Sequence, residues 1–232
     1  MLRFKQLLSE KILGTSGWIH SPRQQIAVKM LKKHDTLSKA YSGVGKDGSH
    51  SWAIRRYSLN SSNINKGLHT GHMENEHDQK TAEVLEKAIS NHPAPHGFHV
   101  YSGIRGNPFN GYRQLPSLKK NNDGSVTGHL PAFTSTSIHP KQPEYFSNTD
   151  DRRRMHMLKI HIPKGSTHGA YIGHVSEHGK KEMEYLLKPN KRIRIHPRPE
   201  IVHGKTMEFD KQASRYGEKP TKTFIWHAHI ED

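Results

Sequence analysis

The sequence predicts an α+β fold in which helices come first and a mainly antiparallel β core follows. Three observations carry that expectation. Helical periodicity is confined to the chain before residue 93, strand-like segments occupy the chain after residue 97, and no helical pattern separates those strands as parallel βαβ units require. The 232 residues are enough for one sizeable core and a short appendage. Hydrophobic residues make up only 31%, but the apolar runs cluster after residue 51, so one folded domain with long polar loops is expected rather than general disorder.

Residues 1–50 stand apart as a basic amino-terminal segment and linker. MLRFKQLLSEKIL reads as a short amphipathic helix and lacks the continuous apolar stretch of a secretory signal. QQIAVKMLKKH reads as a basic helical stretch, and the Gly- and Ser-rich AYSGVGKDGSHS as linker, which puts a soft boundary near Ser51. In the domain over 51–232, WAIRRYSLNSSNINKGLH reads as helical pieces broken by a Ser/Asn turn. DQKTAEVLEKAISNH is a clear helix: Val84, Leu85, Ala88 and Ile89 share a face, Asp78 sits near its start and Pro93 just past its end. FHVYSGI and LPAFTSTSI are strand-like. In HMLKIHIP, Met157, Lys159 and His161 alternate with Leu158, Ile160 and Ile162, which predicts one wet face and one buried face. KEMEYLL, KRIRIHP and TFIWHAHI supply the remaining strands.

With no cysteine, disulfides, thiolate-bound zinc and thiol catalysis are excluded. No run approaches the roughly 20 apolar residues of a membrane span. A formal net charge of +15 favours acidic partners, such as nucleic acid, an anionic membrane or an acidic protein complex, although solubility alone also accounts for it. The 20 histidines show no HExxH or comparable spacing, and His227 and His229 alternate on a strand, so no metal site is expected.

Three separated pieces carry chemistry. The first ends a strand with Tyr101-Ser102-Gly103-Ile104-Arg105-Gly106. Glycines beside an arginine allow close backbone approach to a ligand, and arginine gives bidentate contacts to phosphate; a surface arginine in a Gly-rich turn looks the same. The second is Phe133-Thr134-Ser135-Thr136-Ser137, which in a strand turns Ser135 and Ser137 one way and Thr134 and Thr136 the other. Two hydroxyls on one face can orient a carboxylate or ligand, though strands also carry Ser and Thr without a role. The third is Glu182-Met183-Glu184. A spacing of two places both carboxylates on one strand face, where repulsion favours the protonated form of one and suits acid–base work. A solvated strand edge beside Lys180 and Lys181 is the plainer reading of the same pair.

Taken in order, the arginine, the Ser-Thr-Ser and the Glu-x-Glu resemble the arginine-serine-glutamate class of ADP-ribosyltransferases, above all the enzymatic components of clostridial and insecticidal binary toxins and phage-encoded transferases that modify host proteins. AIRRYSLNSSNINKGLH is similar to the family's amino-terminal helical segment, with its tyrosine and Ile-Asn. EKAISNHPAPHGFHVYSG is similar to the helix and Pro turn before the first strand, and IPKGSTHGAYIG to the approach to the catalytic glutamate. The resemblance covers roughly residues 51–232. One departure stands out: the family has arginine directly after the strand tyrosine, whereas Ser102 follows Tyr101 here.

The resemblance implies an ADP-ribosyltransferase-like fold, with amino-terminal helices before a mainly antiparallel two-sheet β core. It implies NAD⁺ as substrate, no metal, and transfer of ADP-ribose to arginine of a target protein. Glu184 is then the catalytic carboxylate, oriented by Ser135, and Glu182 addresses the acceptor; in the resembling families Glu-x-Glu accompanies arginine modification. Arg105 takes the pyrophosphate, with Arg113 as fallback. Gly106, Thr136, Ser137 and Tyr57 complete the NAD⁺ site, and Phe146 stacks on nicotinamide. The expected partner is an acidic target protein or nucleoprotein complex, such as host transcription or translation machinery, with nucleic-acid contact through basic residues. The expected location is the cytoplasm of a host cell, by phage delivery or virion packaging, with an exported toxin as the rival source. Two alternatives stay open: an NAD⁺ glycohydrolase, and a non-enzymatic nucleic-acid-binding or virion protein, which explains the charge but not the ordered motifs.

Overall fold

The computed structural model describes residues 29, 49–104, 106–110, 118–139, 154–173, 183–210 and 215–231, leaving out the side chains of 110, 205–210 and 215–219. Apart from Lys29, the helices expected over 1–34 lie outside the described residues. The first long helix, α1 (His50–Thr70), starts within what reads as linker because Ser49 caps it, its Oγ accepting from Trp52 N at 3.3 Å. It ends at Gly71, whose left-handed φ of 70 closes the cap. The expected break falls at Asn60, where φ −132 and ψ 28 leave the helical region.

The second helix, α2 (Glu76–Ser90), is capped by Asn75, whose side chain accepts from Asp78 N at 2.8 Å. The buried Asp78 carboxylate accepts from Arg56 and Asn60, each at 3.1 Å, and from Asn75 at 2.8 Å. A buried carboxylate is tolerated only when so paired. One donor is the kink residue itself, so the bend in α1 and its docking on α2 are fixed together. This holds Tyr57, one turn before the kink, in place over the sheet.

Among the described residues ten strands follow: β1 (Phe98–Ile104), β2 (Lys119–Lys120), β3 (Val126–Leu130), β4 (Thr134–Ser137), β5 (Arg154–Ile162), β6 (Gly169–Tyr171), β7 (Glu184–Leu187), β8 (Lys191–Ile195), β9 (Glu200–Asp210) and β10 (Arg215–Glu231). They form one hydrogen-bonded path, β2-β3-β8-β10-β5-β1-β4-β7-β6, with β9 paired to β10. Every pairing is antiparallel except β5 with β10. Val126 and Ile195 near one end of the path share a buried cluster with Tyr171, Tyr185 and Leu187 at the other. The path therefore curls back on itself and works as two packed layers around that cluster, which is the α+β arrangement expected. LPAFTSTSI divides into β3 and β4 around Pro131, which cannot donate to a ladder.

A second cluster joins the helices to the outer face of β6 and β7: Ala53, Ile54, Tyr57, Leu85 and Ile89 pack with Ala170, Ile172 and Leu186. Lys188, buried just beyond β7, adds a tie by donating to Ser90 Oγ at 3.0 Å. β6 approaches β7 so closely that a Cβ on Gly169 would meet the Tyr185 ring at 2.5 Å. No helix of the described residues is long and apolar enough to cross a membrane.

Leu158, Ile160 and Ile162 are buried, as their alternation predicts, but so is Met157 on the expected wet face. Methionine is apolar, and alternation alone does not say whether a second layer covers the outer face at that point. Further along that face, register aligns His99 with His161, His161 with His229 and His229 with Arg194, while Tyr101, Lys159 and His227 form the neighbouring row. The His99 and His161 rings lie 5.3 Å apart. Burial, then Lys159 and neighbouring histidines, lower the His99 ionisation to about 4. Burial first also lowers His227 and His229. Inside the sheet, His156 is likewise lowered by burial, and its Nδ1 accepts from Trp226 Nε1 at 3.1 Å, a bond that protonation there would break.

These shifts give an acid-sensitive fold with a definite sign. Above pH 6.5 the histidines are neutral in folded and unfolded chains alike, so they do not affect stability. As pH falls below 6.5 the unfolded chain takes up protons first and the fold weakens, a loss that for His99 continues to about pH 4. After allowance for solvent screening, about 1 kcal/mol is expected from His99. On account of His99, the thermal midpoint should therefore drop by about 2–4 °C between pH 7 and 4. His99→Gln should flatten the dependence, and an unchanged slope in that variant would rule out this origin.

Candidate active site

The feature that places Glu184 is a change of backbone direction just before it. Met183 has φ 48, in the left-handed region that costs a non-glycine residue about 1–2 kcal/mol. Two contacts hold it there: its carbonyl accepts from Ile138 N at 3.1 Å, and its half-buried side chain packs on the sheet core. Strand β7 begins one residue later, with Glu184 opposite Ser137 of β4. On its other side, the Glu184 carbonyl accepts from Ile172 N at 3.0 Å. Clasped by neighbours on both sides, Glu184 shares a face with Leu186 beneath the helices, while Tyr185 and Leu187 point into the sheet interior.

The Glu184 carboxylate is buried and accepts a 2.7 Å hydrogen bond from Ser135 Oγ, two residues along β4 on the same face. Above them stands Tyr57 of α1, buried and edge-on to Phe133 at 5.3 Å. Its oxygen accepts from Asn65 Nδ2 at 3.1 Å. Burial first, and then the nearby Glu184 charge, push the phenol up to about 12, against the opposing effect of hydrogen bonds from Asn65 and with Ser135. Tyr57 is thus protonated across the physiological range. The resulting group is a buried carboxylate, a serine at an exposed strand position and a fixed phenol. Such a carboxylate, oriented in advance and partly dry, can stabilise a positive charge that develops beside it.

Of the residues singled out in the sequence, Glu184, Ser135 and Tyr57 come together. Ser137 lies beside them in register, buried, with its Oγ accepting from His139 N at 3.0 Å. Thr136 faces the other way and donates to the Tyr185 carbonyl, so it ties β4 to β7 and does not reach the group. Gly106 occupies the turn after β1 with φ 89, a conformation that favours glycine, and a Cβ there would meet nothing within 4 Å. Arg105, Arg113, Phe146 and Glu182 lie outside the described residues. The sequence argument related Glu182 to Glu184 by strand alternation. Strand alternation does not run through Met183, because the strand starts at Glu184 and φ at Met183 is positive.

Asn65, part of the Ile-Asn of the helical segment in the resemblance, was given no role from the sequence. Its signal was its place eight residues after Tyr57, about two helical turns and thus the same face. Its Nδ2 reaches the phenol, and its Oδ1 has no hydrogen-bond partner among the described residues. Among the described residues, no three of His, Asp and Glu gather as a metal site.

A family model described as ADP-ribosyltransferase exoenzyme matches residues 37–216. The NAD(+)–arginine ADP-ribosyltransferase EFV of Enterococcus faecalis (strain ATCC 700802 / V583) is 35% identical over 108 residues, covering 46% of this chain and 19% of that protein. The match thus spans about a fifth of that relative. Among solved structures, the ADP-ribosyltransferase toxin Plx2a from Paenibacillus larvae superposes with a TM-score of 0.54 at 18% identity, covering 90% of this chain and 97% of its own. C3stau2 from S. aureus, solved with NAD, gives 0.54 at 16% identity, covering 93% and 97%. At these identities the structural likeness speaks for the fold.

Proposed function

Since the chain belongs to the ADP-ribosyltransferase exoenzyme family, we propose that it moves ADP-ribose from NAD⁺ to arginine side chains of a protein target, with Glu184 as the catalytic carboxylate. The observation that carries this reading is the buried Glu184 carboxylate held by the Ser135 hydroxyl at 2.7 Å. In the reaction the bond between nicotinamide and ribose breaks, nicotinamide leaves with the bonding pair, and positive charge develops on the ribose. A fixed carboxylate against that ribose interacts more strongly as the charge grows, which is what lowers a barrier. Paired carboxylates carry the same charge pattern in glycoside hydrolysis.

Guanidinium is protonated at any cellular pH and attacks only as it loses a proton. Glu182 is the group to attract it and accept that proton. Arginine as acceptor is supported by the Glu-x-Glu sequence and by the printed activity of the Enterococcus relative. Arg105 binds the pyrophosphate in this reading, with Gly106 allowing close approach to the nicotinamide amide. The net charge of +15 favours an acidic target protein or nucleoprotein complex, with residues 1–50 adding to the attraction.

The test is nicotinamide release from NAD⁺ with and without a soluble guanidino acceptor, together with isolation of the ADP-ribosylated guanidine. Acceptor-stimulated release and a guanidine adduct are expected. Release without an adduct would make the protein a glycohydrolase, and no release under either condition would make it a non-catalytic member of its family.

A further inference from the structure

We propose that two histidine pairs on one sheet face, His99 with His161 and His196 with His229, each chelate a divalent transition-metal ion of the zinc and nickel class. The bound ion has no part in the reaction assigned to Glu184, and the two readings stand or fall separately.

Strand pairing brings the four side chains into one line. His99 of β1 is in register with His161 of β5, and His161 with His229 of β10. His229 is in turn opposite Arg194 of β8. His196, two residues beyond Arg194, keeps the same face and stays paired to β10, its N donating to the His227 carbonyl at 2.9 Å. No local spacing announces such a site, because its members come from four strands. His161 and His196 are exposed, while His99 and His229 are half-buried. Each pair thus joins one anchored ring to one that solvent reaches.

The separation of the rings is what a shared ion requires. A zinc–nitrogen bond of about 2.0–2.1 Å puts the ion about 3.2 Å from a ring centre, so two rings sharing it at a tetrahedral angle have centres about 5.2 Å apart. The ring centres lie 5.3 Å apart in His99–His161 and again in His196–His229. The Cβ–Cγ bond points through the centre of the ring, so rotation about it aims either nitrogen at the ion without changing that separation. Imidazole nitrogen suits zinc, nickel and copper and not the hard cations. Each pair supplies two ligands, in keeping with the lack of any three-ligand group among the described residues, and solvent completes the coordination.

Burial lowers the ionisation of His99 and His229, which leaves both rings neutral at pH 7, the form that binds metal. Neighbouring charge ranks the two sites. Lys159 stands beside the first pair and opposes a bound cation. Arg194 stands beside the second, but Asp123 and Glu231 accept from its guanidinium at 2.8 and 3.3 Å and offset it. The His196–His229 site is therefore the tighter. An ion there ties β8 to β10, and one at the first pair ties β1 to β5. Only the folded chain brings these rings together, so binding stabilises the fold.

The test uses the full chain at pH 7.5, stripped with chelator and then titrated with zinc(II), nickel(II) or magnesium(II). Bound ions are counted by equilibrium dialysis and thermal midpoints are followed. His161→Gln, His196→Gln and the double variant change only the exposed ring of each pair, so their midpoints in chelator should match wild type. At free zinc about tenfold above the dissociation constant, the tighter site should raise the wild-type midpoint by about 3–5 °C. Nickel should act likewise and magnesium should do nothing. Each single variant should bind about one ion fewer than wild type and the double variant about two fewer, with His196→Gln removing the tighter ion. The proposal is overturned if the double variant binds zinc as wild type does, which would put the metal on other histidines of the chain. It is equally overturned if magnesium matches zinc, or if one single substitution removes both ions, which would mean one ion shared between the inner rings.

Discussion

Glu184→Gln is expected to lower nicotinamide release by about 10²–10³-fold, the usual scale for removing one preorganised electrostatic stabiliser. The folded structure should survive the change. The glutamine carbonyl can accept the 2.7 Å bond from Ser135 in place of Oε1, and the β4 and β6 backbone contacts around residue 184 do not involve the side chain. Only the negative charge is lost. Because that charge is buried, its removal relieves a desolvation cost, so the thermal midpoint should be unchanged or slightly raised. The decisive measurement pairs a melt with a release assay on one preparation. Near-normal release by a well-folded variant would remove Glu184 from the mechanism, together with the bond-breaking role built on it.

Glu182→Gln should separate the two halves of the reaction. Transfer to a guanidino acceptor should fall by about 10²–10⁴-fold, the range that general acid–base catalysis contributes. Hydrolysis should persist, since charge at Glu184 supports bond breaking and water needs far less help than a protonated guanidinium to act as acceptor. Release and adduct formation measured side by side on this variant give the answer. Equal loss of both activities would assign Glu182 to bond cleavage. Retained transfer would require a different proton acceptor.

How much of this was legible in the sequence depended on the range of the interaction. Alternation in HMLKIHIP located β5, and the helical face of Val84, Leu85, Ala88 and Ile89 located α2, because both patterns repeat within a few residues. Alternation also turned Ser135 and Ser137 to one face and Thr136 to the other, as the structure has them. That Ser135 meets Glu184, 49 positions away, is a matter of strand pairing, which periodicity does not encode. The family resemblance supplied that link. Burial of Met157 depends on what covers the outer face, and the positive φ of Met183 depends on the Ile138 bond that holds it, so neither has a local signature. β6 was missed because Gly169-Ala170-Tyr171 is too short to alternate, and its glycine is there for the Tyr185 ring. The contact of Asn65, quoted in the resemblance without a role, was not legible because its partner is a phenol two turns away in a helix that bends between them.

The place of β10 has a consequence for how the protein is made. It lies between β8 and β5, yet every other described strand precedes it in the chain. During synthesis β5 and β8 emerge from the ribosome early and must wait, each with an open hydrogen-bonding edge, until the residues up to 231 follow. The parallel pairing that joins them, anchored where Trp226 meets His156 from 70 positions away, is the long-range kind that closes slowly. Half-made chains therefore carry two unsatisfied edges in what will be the middle of the sheet, the feature that invites edge-to-edge association. Transient edges of this kind are what chaperone cover, or rapid completion of the chain, protects during synthesis.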